Sequence, residues 1–192
     1  MALAHVQSML ARIYTDTELR QKFLLNPFEV ATEYNLEDSE IEQVIDLSKD
    51  QVESFAVSLI YKRLGEIRKK LPFTARLLGK KFSRLFFQYA QASTPQGIKK
   101  HLEDTFLFAD YIKRMAGQEK AAPWVVEVLQ YEVNGIKAII SKFSLSFVIF
   151  HYDIKGLVDS LLRDNQIQPK KRLRIGSWIK YLPSKRIFHI II

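Results

Sequence analysis

The side chains best suited by type to move protons or hold a metal are four histidines, His5, His101, His151 and His189. No two have the close spacing with which a single helix ligates a metal. His101 and Asp104 can share a helix face with Glu103 beside them, a trio that could hold a cation or simply form a solvated polar surface. The chain has no cysteine, which excludes thiolate zinc sites, iron–sulfur ligation, disulfides and cysteine nucleophiles. Its seven glycines form neither a phosphate-cradling loop nor a nucleophile elbow, and no isolated carboxylate pair lies in an evident apolar setting. These residues predict a protein that binds rather than reacts, with no catalytic or metal-ligating residue and no cofactor.

The chemistry that remains is ionic. Lys62, Arg63, Arg68, Lys69, Lys70, Arg76, Lys80, Lys81 and Arg84 stand against the single acid Glu66, and Arg76, Lys80 and Arg84 recur every four residues. Such a stripe could neutralise phosphates, meet an acidic protein partner, or be a solvated face. No helix-turn-helix, zinc-finger or RNA-binding signature accompanies it.

The elements that must carry these residues are mostly helical. Leu3, Val6, Leu10 and Ile13 recur at helical spacing; Asp16 caps a turn through Leu19 and Phe23; Asn26-Pro27 closes that helix and Pro27 opens the next. Asp38 or Ser39 starts a further helix, and Ser48 with Gln51 forms a capping box for a long one ended by Pro72. Helices follow over about 73–91, over 95–116 launched by Thr94-Pro95 and closed by Gly117, and over 122–141 with Pro123 in its first turn. They carry Phe82, Phe86, Phe87, Tyr89, Phe106, Phe108, Tyr111, Trp124 and Tyr131, whose default role is packing a core; Trp124 and Phe86 are each expected to be structural. After residue 142 the period shortens: Phe143, Leu145, Phe147 and Ile149 alternate with Ser144, Ser146, Val148 and Phe150, predicting a strand partly buried on both faces. A short helix over 155–163, a strand holding Leu173, Ile175 and Ile179, a Leu182-Pro183-Ser184 turn and a strand over 186–192 complete the chain. So few strands cannot close a barrel. An edge must stay open or be covered, and an open edge could take an extended peptide by strand addition, a contact that a proline at Ile190 should test.

The predicted fold class is therefore α+β, a mainly helical bundle with a small C-terminal antiparallel β unit. Of 192 residues, 47% are hydrophobic and 26% charged, ample for a core. The net charge of +8 is unevenly shared, because residues 1–60 hold 4 basic and 11 acidic side chains and residues 61–192 hold 25 and 10. That divides the chain into an acidic helical module over 1–60, an aromatic-rich helical domain over 61–141 and a β-rich unit over 142–192. With no signal-peptide pattern and no apolar run of membrane-spanning length, the expected location is the cytoplasm, with no membrane partner.

Two resemblances sharpen the expectation. Arg68–Lys70, Leu71-Pro72-Phe73-Thr74-Ala75-Arg76-Leu77-Leu78-Gly79, Phe82, Leu85-Phe86 and Tyr89-Ala90, then Pro95, Gly97, the stretch from Asp104 to Asp110, and Pro123-Trp124-Val125-Val126-Glu127-Val128-Leu129-Gln130-Tyr131-Glu132, resemble a helical family whose members carry a DNA-binding label, the HvfC- and MbnC-type accessory proteins. The resemblance spans about 61–192. Residues Leu10–Asp16, with Arg20, Phe23, Asn26-Pro27, Tyr34-Asn35-Leu36 and Gln51-Val52, resemble the small helical LigA-type subunit of extradiol dioxygenases. The first resemblance implies a non-catalytic partner of a multinuclear non-haem iron oxidase that modifies ribosomally made peptides, the iron being bound wholly by that partner, the helical domain docking the enzyme and the β unit helping to hold the peptide. The residues expected at a partner surface are Arg76, Lys80, Arg84, Trp124, Tyr131, Glu132, Arg172, Arg174 and Lys180. The alternative is a sequence-independent nucleic-acid binder using the 61–84 stripe with Arg172, Arg174, Lys185 and Arg186.

Overall fold

The computed structural model describes residues 2–93, 100–118, 121–180 and 187–192. It is α+β and mainly helical, with ten helices and one three-stranded antiparallel sheet among those residues. The expected Thr94-Pro95 helix start, Pro95 and Gly97, the Leu182-Pro183-Ser184 turn, Lys185 and Arg186 lie outside the described residues. Two compact units emerge, Met1–Gly65 with Ala90–Thr94 and Glu66–Tyr89 with Pro95–Ile192.

In the first unit, α1 (Ala2–Thr15), α2 (Thr17–Leu25), α3 (Pro27–Glu33), α4 (Asp38–Ile45) and the start of α5 (Lys49–Lys70) follow the capping chemistry closely. Asp16 accepts a hydrogen bond from the Leu19 amide at 3.0 Å, and Asn26 accepts one from the Glu29 amide at 3.3 Å just before Pro27. Ser48 and Gln51 exchange reciprocal bonds of 2.9 and 3.2 Å at the head of α5. α4 starts at Asp38, as expected, and its cap is Glu37: Glu37 and Glu40 form the box, with the Glu37 amide donating to Glu40 at 2.9 Å. Met9, Ile13, Phe23, Val30, Ala31, Ile41, Val44 and Val52 close the core of this unit.

In the second unit, the single helix expected over 73–91 is two helices, α6 (Pro72–Leu78) and α7 (Lys80–Ala92). The break is Gly79, whose φ of 53° and ψ of −124° place it where a side chain is strained. Helical periodicity runs through a glycine unchanged, so the apolar pattern could not signal it. The break also splits the Arg76, Lys80, Arg84 stripe between two helices. α8 (Lys100–Met115) packs its Phe108 ring edge-on against Phe82 and Phe86, with centroids 5.2 and 5.0 Å apart.

The strands β1 (Ser144–Tyr152), β2 (Lys171–Lys180) and β3 (Ile187–Ile191) lie in that order, with Phe147 opposite Ser177 and Trp178 opposite His189. α9 (Pro123–Ile140) and α10 (Ile154–Leu162) pack on one face only. There Val148, Phe150 and Trp178 join Val128, Ala138, Ile154 and Leu157 in the core. Gly176 is needed on this inner face, since a Cβ would come within 2.8 Å of the Phe150 ring and 2.9 Å of Trp178. The other face overturns the expectation of burial on both sides. Leu145, Phe147 and Ile149 of β1, Leu173 and Ile175 of β2 and Phe188 and Ile190 of β3 are all exposed, Phe147 at 64% and Leu173 at 68%.

Candidate functional site

Two glutamates on α9 organise the second unit. The Glu132 carboxylate is buried and accepts hydrogen bonds from the Phe73 amide at 2.7 Å, the Thr74 amide at 3.0 Å and the Thr74 hydroxyl at 2.6 Å. It supplies the acceptor that the first-turn amides of α6 need, a role Leu71 at the cap cannot fill. Burial pushes its pKa up to about 7, against the pull of those three donors toward the ionised form. One turn and a half earlier, Glu127 accepts from the His151 amide at 2.9 Å and the Tyr152 amide at 3.1 Å, and its carboxylate lies 3.0 Å from His151 Nδ1. These amides sit where the β1–β2 register shifts between Phe150 and Tyr152. Both glutamates fall in the segment Pro123 to Glu132 and accept hydrogen bonds from backbone amides.

Beside Glu132, a cleft of about 360 Å³ opens between the middle of α9, the start of α6 and the inner face of the sheet. Tyr131, Trp178 and His189 line it as a packed trio: His189 stacks on Trp178 with centroids 5.0 Å apart and planes 23° apart, and Tyr131 lies 5.8 Å from Trp178 and 5.3 Å from His189. Burial lowers the pKa of the His189 imidazole and raises that of the Tyr131 phenol, so both favour their neutral forms. Lys69 and Lys70 form the rim and share one carboxylate, Glu66, at 2.7 and 3.7 Å.

The residues expected at a partner surface scatter. Arg76 ties α6 to the end of α10, bonding the Leu161 carbonyl and Asp164. Arg174 pairs with Asp153 at 3.4 Å, and Lys180 donates to the Ile139 carbonyl at 2.7 Å, a cation meeting the last turn of α9. Arg172, Arg174 and Lys180 do share a face, the one the helices cover. Arg172 is exposed beside Glu127 and His151 at a separate hollow. Lys80 and Arg84 are exposed on α7. Trp124 is half-buried and lines a groove with Leu77, Leu85 and Ile112, whereas Phe86 is fully buried in the core. Tyr131 and Glu132 come together at the cleft. Trp178, Gly135, His189, Lys69 and Lys70 join them there; of these Lys69, Lys70 and His189 stood out in the sequence by type, while Trp178 and Gly135 were missed, although a glycine inside an otherwise strong helix is a signal that could have found Gly135.

The cation trio does not form. Asp104 is buried and accepts a hydrogen bond from the Tyr89 hydroxyl at 2.8 Å, while Glu103 is exposed. Among the described residues no three His, Asp or Glu side chains gather as metal ligands, and no helix is long and apolar enough to cross a membrane. The fold and its sites thus define a mainly helical α+β protein with a one-sided sheet. No family model, curated protein or solved structure matches the chain.

Proposed function

We propose that the chain is a non-catalytic accessory protein that docks a partner protein on the open face of its sheet and helps hold a peptide at the sheet edge. The observation that carries this reading is the row of exposed Leu145, Phe147, Ile149, Leu173, Ile175, Phe188 and Ile190. Each alternates with an inner-face residue, so their side chains form one contiguous apolar surface across three strands. Monomeric proteins rarely leave uncovered an apolar patch beyond roughly 300–600 Å², and larger ones mark interaction surfaces. The partner class comes from the resemblance to the HvfC- and MbnC-type proteins: a multinuclear non-haem iron oxidase acting on a ribosomal peptide, with the chemistry residing in that enzyme.

The edge has a defined polarity. Ile175 and Ile192 exchange both backbone hydrogen bonds, at 2.9 and 3.1 Å. By the antiparallel alternation, Ile190 and Phe188 also turn their amides toward β2, whereas His189 and Ile191 turn theirs outward. A proline at Ile190 would therefore break the β2–β3 ladder; Ile191→Pro is the variant that removes an outward donor.

The nucleic-acid reading draws on cations that are in large part engaged within the chain: Arg63 on the Ser93 carbonyl, Arg68 on Ser83, Lys69 and Lys70 on Glu66, and Arg76 on Leu161 and Asp164. The test is calorimetric titration of the protein with a purified oxidase of that class and its substrate peptide. Phe147→Lys should abolish the complex without lowering the melting temperature, and Ile191→Pro should weaken only the peptide. Undiminished complex formation by Phe147→Lys, or tight and sequence-selective binding to DNA duplexes at physiological salt, would overturn the proposal.

A further inference from the structure

We propose that the cleft beside Glu132 is a binding site for a carboxylate carried on an aromatic or other apolar body. This rests on features separate from the open sheet face. Trp178 is only 2% exposed as a residue and lines the cleft, and among the described residues its indole Nε1–H has no protein acceptor within hydrogen-bonding distance. Among the described residues no fully buried side-chain nitrogen or oxygen lacks a partner, so this N–H is not sealed in the core but keeps an opening through which a ligand acceptor can reach it. This donor looks toward α9 at Gly135, where a Cβ would stand 3.8 Å from Nε1. That is ordinary contact distance, so packing does not require a glycine there. A glycine in mid-helix weakens the helix, and what it provides here is an uncovered indole N–H at the cleft floor.

The walls and rim specify what would meet that donor. Tyr131 and His189 flank Trp178 with aromatic surface, suited to a flat apolar group. Lys69 and Lys70 carry two positive charges against the one of Glu66, leaving one cation in excess at the mouth. Glu132 adds no competing acceptor, since both of its oxygens face the Phe73 and Thr74 donors. A ligand that accepts from an indole, stacks between rings and is drawn by a lysine rim is an aromatic or apolar carboxylate. The volume of about 360 Å³ admits one such group. The carboxylate could belong to a free acid or to the C-terminus of a peptide, and the chemistry is the same.

Two tryptophans give two indole N–H signals in a nitrogen–proton NMR spectrum, and Trp124→Phe assigns them. Titration of the full chain with phenylacetate and with N-acetyl-phenylalanine should move the Trp178 signal saturably, and N-acetyl-phenylalaninamide, lacking the charge, should bind at least about tenfold more weakly. Equal affinity for the two acids identifies a free acid as the source; a preference for N-acetyl-phenylalanine of about tenfold or more identifies a peptide terminus. Gly135→Ala should raise the melting temperature by favouring α9 while weakening binding at least about tenfold, because its methyl covers Nε1. Lys69→Gln with Lys70→Gln should weaken binding and flatten its dependence on salt. A Trp178 signal unmoved by either acid at about 10 mM, an amide that binds as well as the acid, or a Gly135→Ala protein that binds unchanged would each overturn the proposal.

Discussion

At the scale of single residues, the carboxylate of Glu132 sets a pH dependence whose sign is fixed. Burial raises its pKa from an ordinary 4.5 to about 7, so between those values the folded chain holds a proton that the unfolded chain has released. Stability is then full below the unfolded value and falls as pH rises through 7. Taken alone, the group is worth on the order of 3 kcal/mol across that window. The Thr74 hydroxyl, 2.6 Å away, can turn from donor to acceptor when Glu132 is protonated, so the neutral form keeps its bond. Thermal melts from pH 5 to pH 8 should show a decline that Glu132→Gln flattens. The variant itself should lose about 1 kcal/mol at low pH, because its amide group meets the Phe73 N–H with another donor. An identical decline in both proteins would place the titrating group elsewhere.

At the scale of elements, Gly79 decides where α6 ends. Nothing lies within 4 Å of a Cβ built there, so any cost of a side chain is backbone strain at φ 53°. Gly79→Ala should destabilise by about 1–2 kcal/mol. Gly65→Ala, inside α5 and equally unobstructed, should stabilise by about 0.5–1 kcal/mol. Denaturant melts of the two variants should therefore shift in opposite directions. The contrast shows what the sequence discloses. Helix ends written in local side-chain-to-backbone bonds, as at Asp16, Asn26 and Ser48 with Gln51, were legible because both partners sit within a few residues, and Pro123 marked the start of α9 through its fixed φ alone. The Gly79 break was not, since an apolar stripe gives the same pattern for one helix or two. Alternation disclosed β1 as a strand, but with Val148 and Phe150 on one face and Leu145, Phe147 and Ile149 on the other it pointed to burial on both, and only the packing of α9 and α10 decides which face is covered. The cleft was less legible still. Trp178 and Gly135 meet only through the packing of α9 on the sheet, and Glu132, expected at a surface, is drawn inside by amides 58 and 59 residues earlier.

At the scale of the whole molecule, each unit keeps its own core, and the second presents an uncovered sheet face, with α9 and α10 packed on the opposite one. Such a face serves binding only while it avoids indiscriminate stacking, since flat apolar strands template their own association. α6, α8, α10, β1 and β2 all pack against α9. That convergence has a consequence in time. The Glu127 and Glu132 bonds span 24 to 59 residues of chain, closures that cost entropy and bring no return until α9 itself exists. We expect the folding nucleus of the second unit to centre on α9 and β3 to join after the barrier is crossed. In stopped-flow chevrons, Val128→Ala should slow folding and leave unfolding nearly unchanged, while Ile191→Val should chiefly hasten unfolding. A helix that marks the site in the finished structure is, on the way there, the surface on which the rest of the unit assembles.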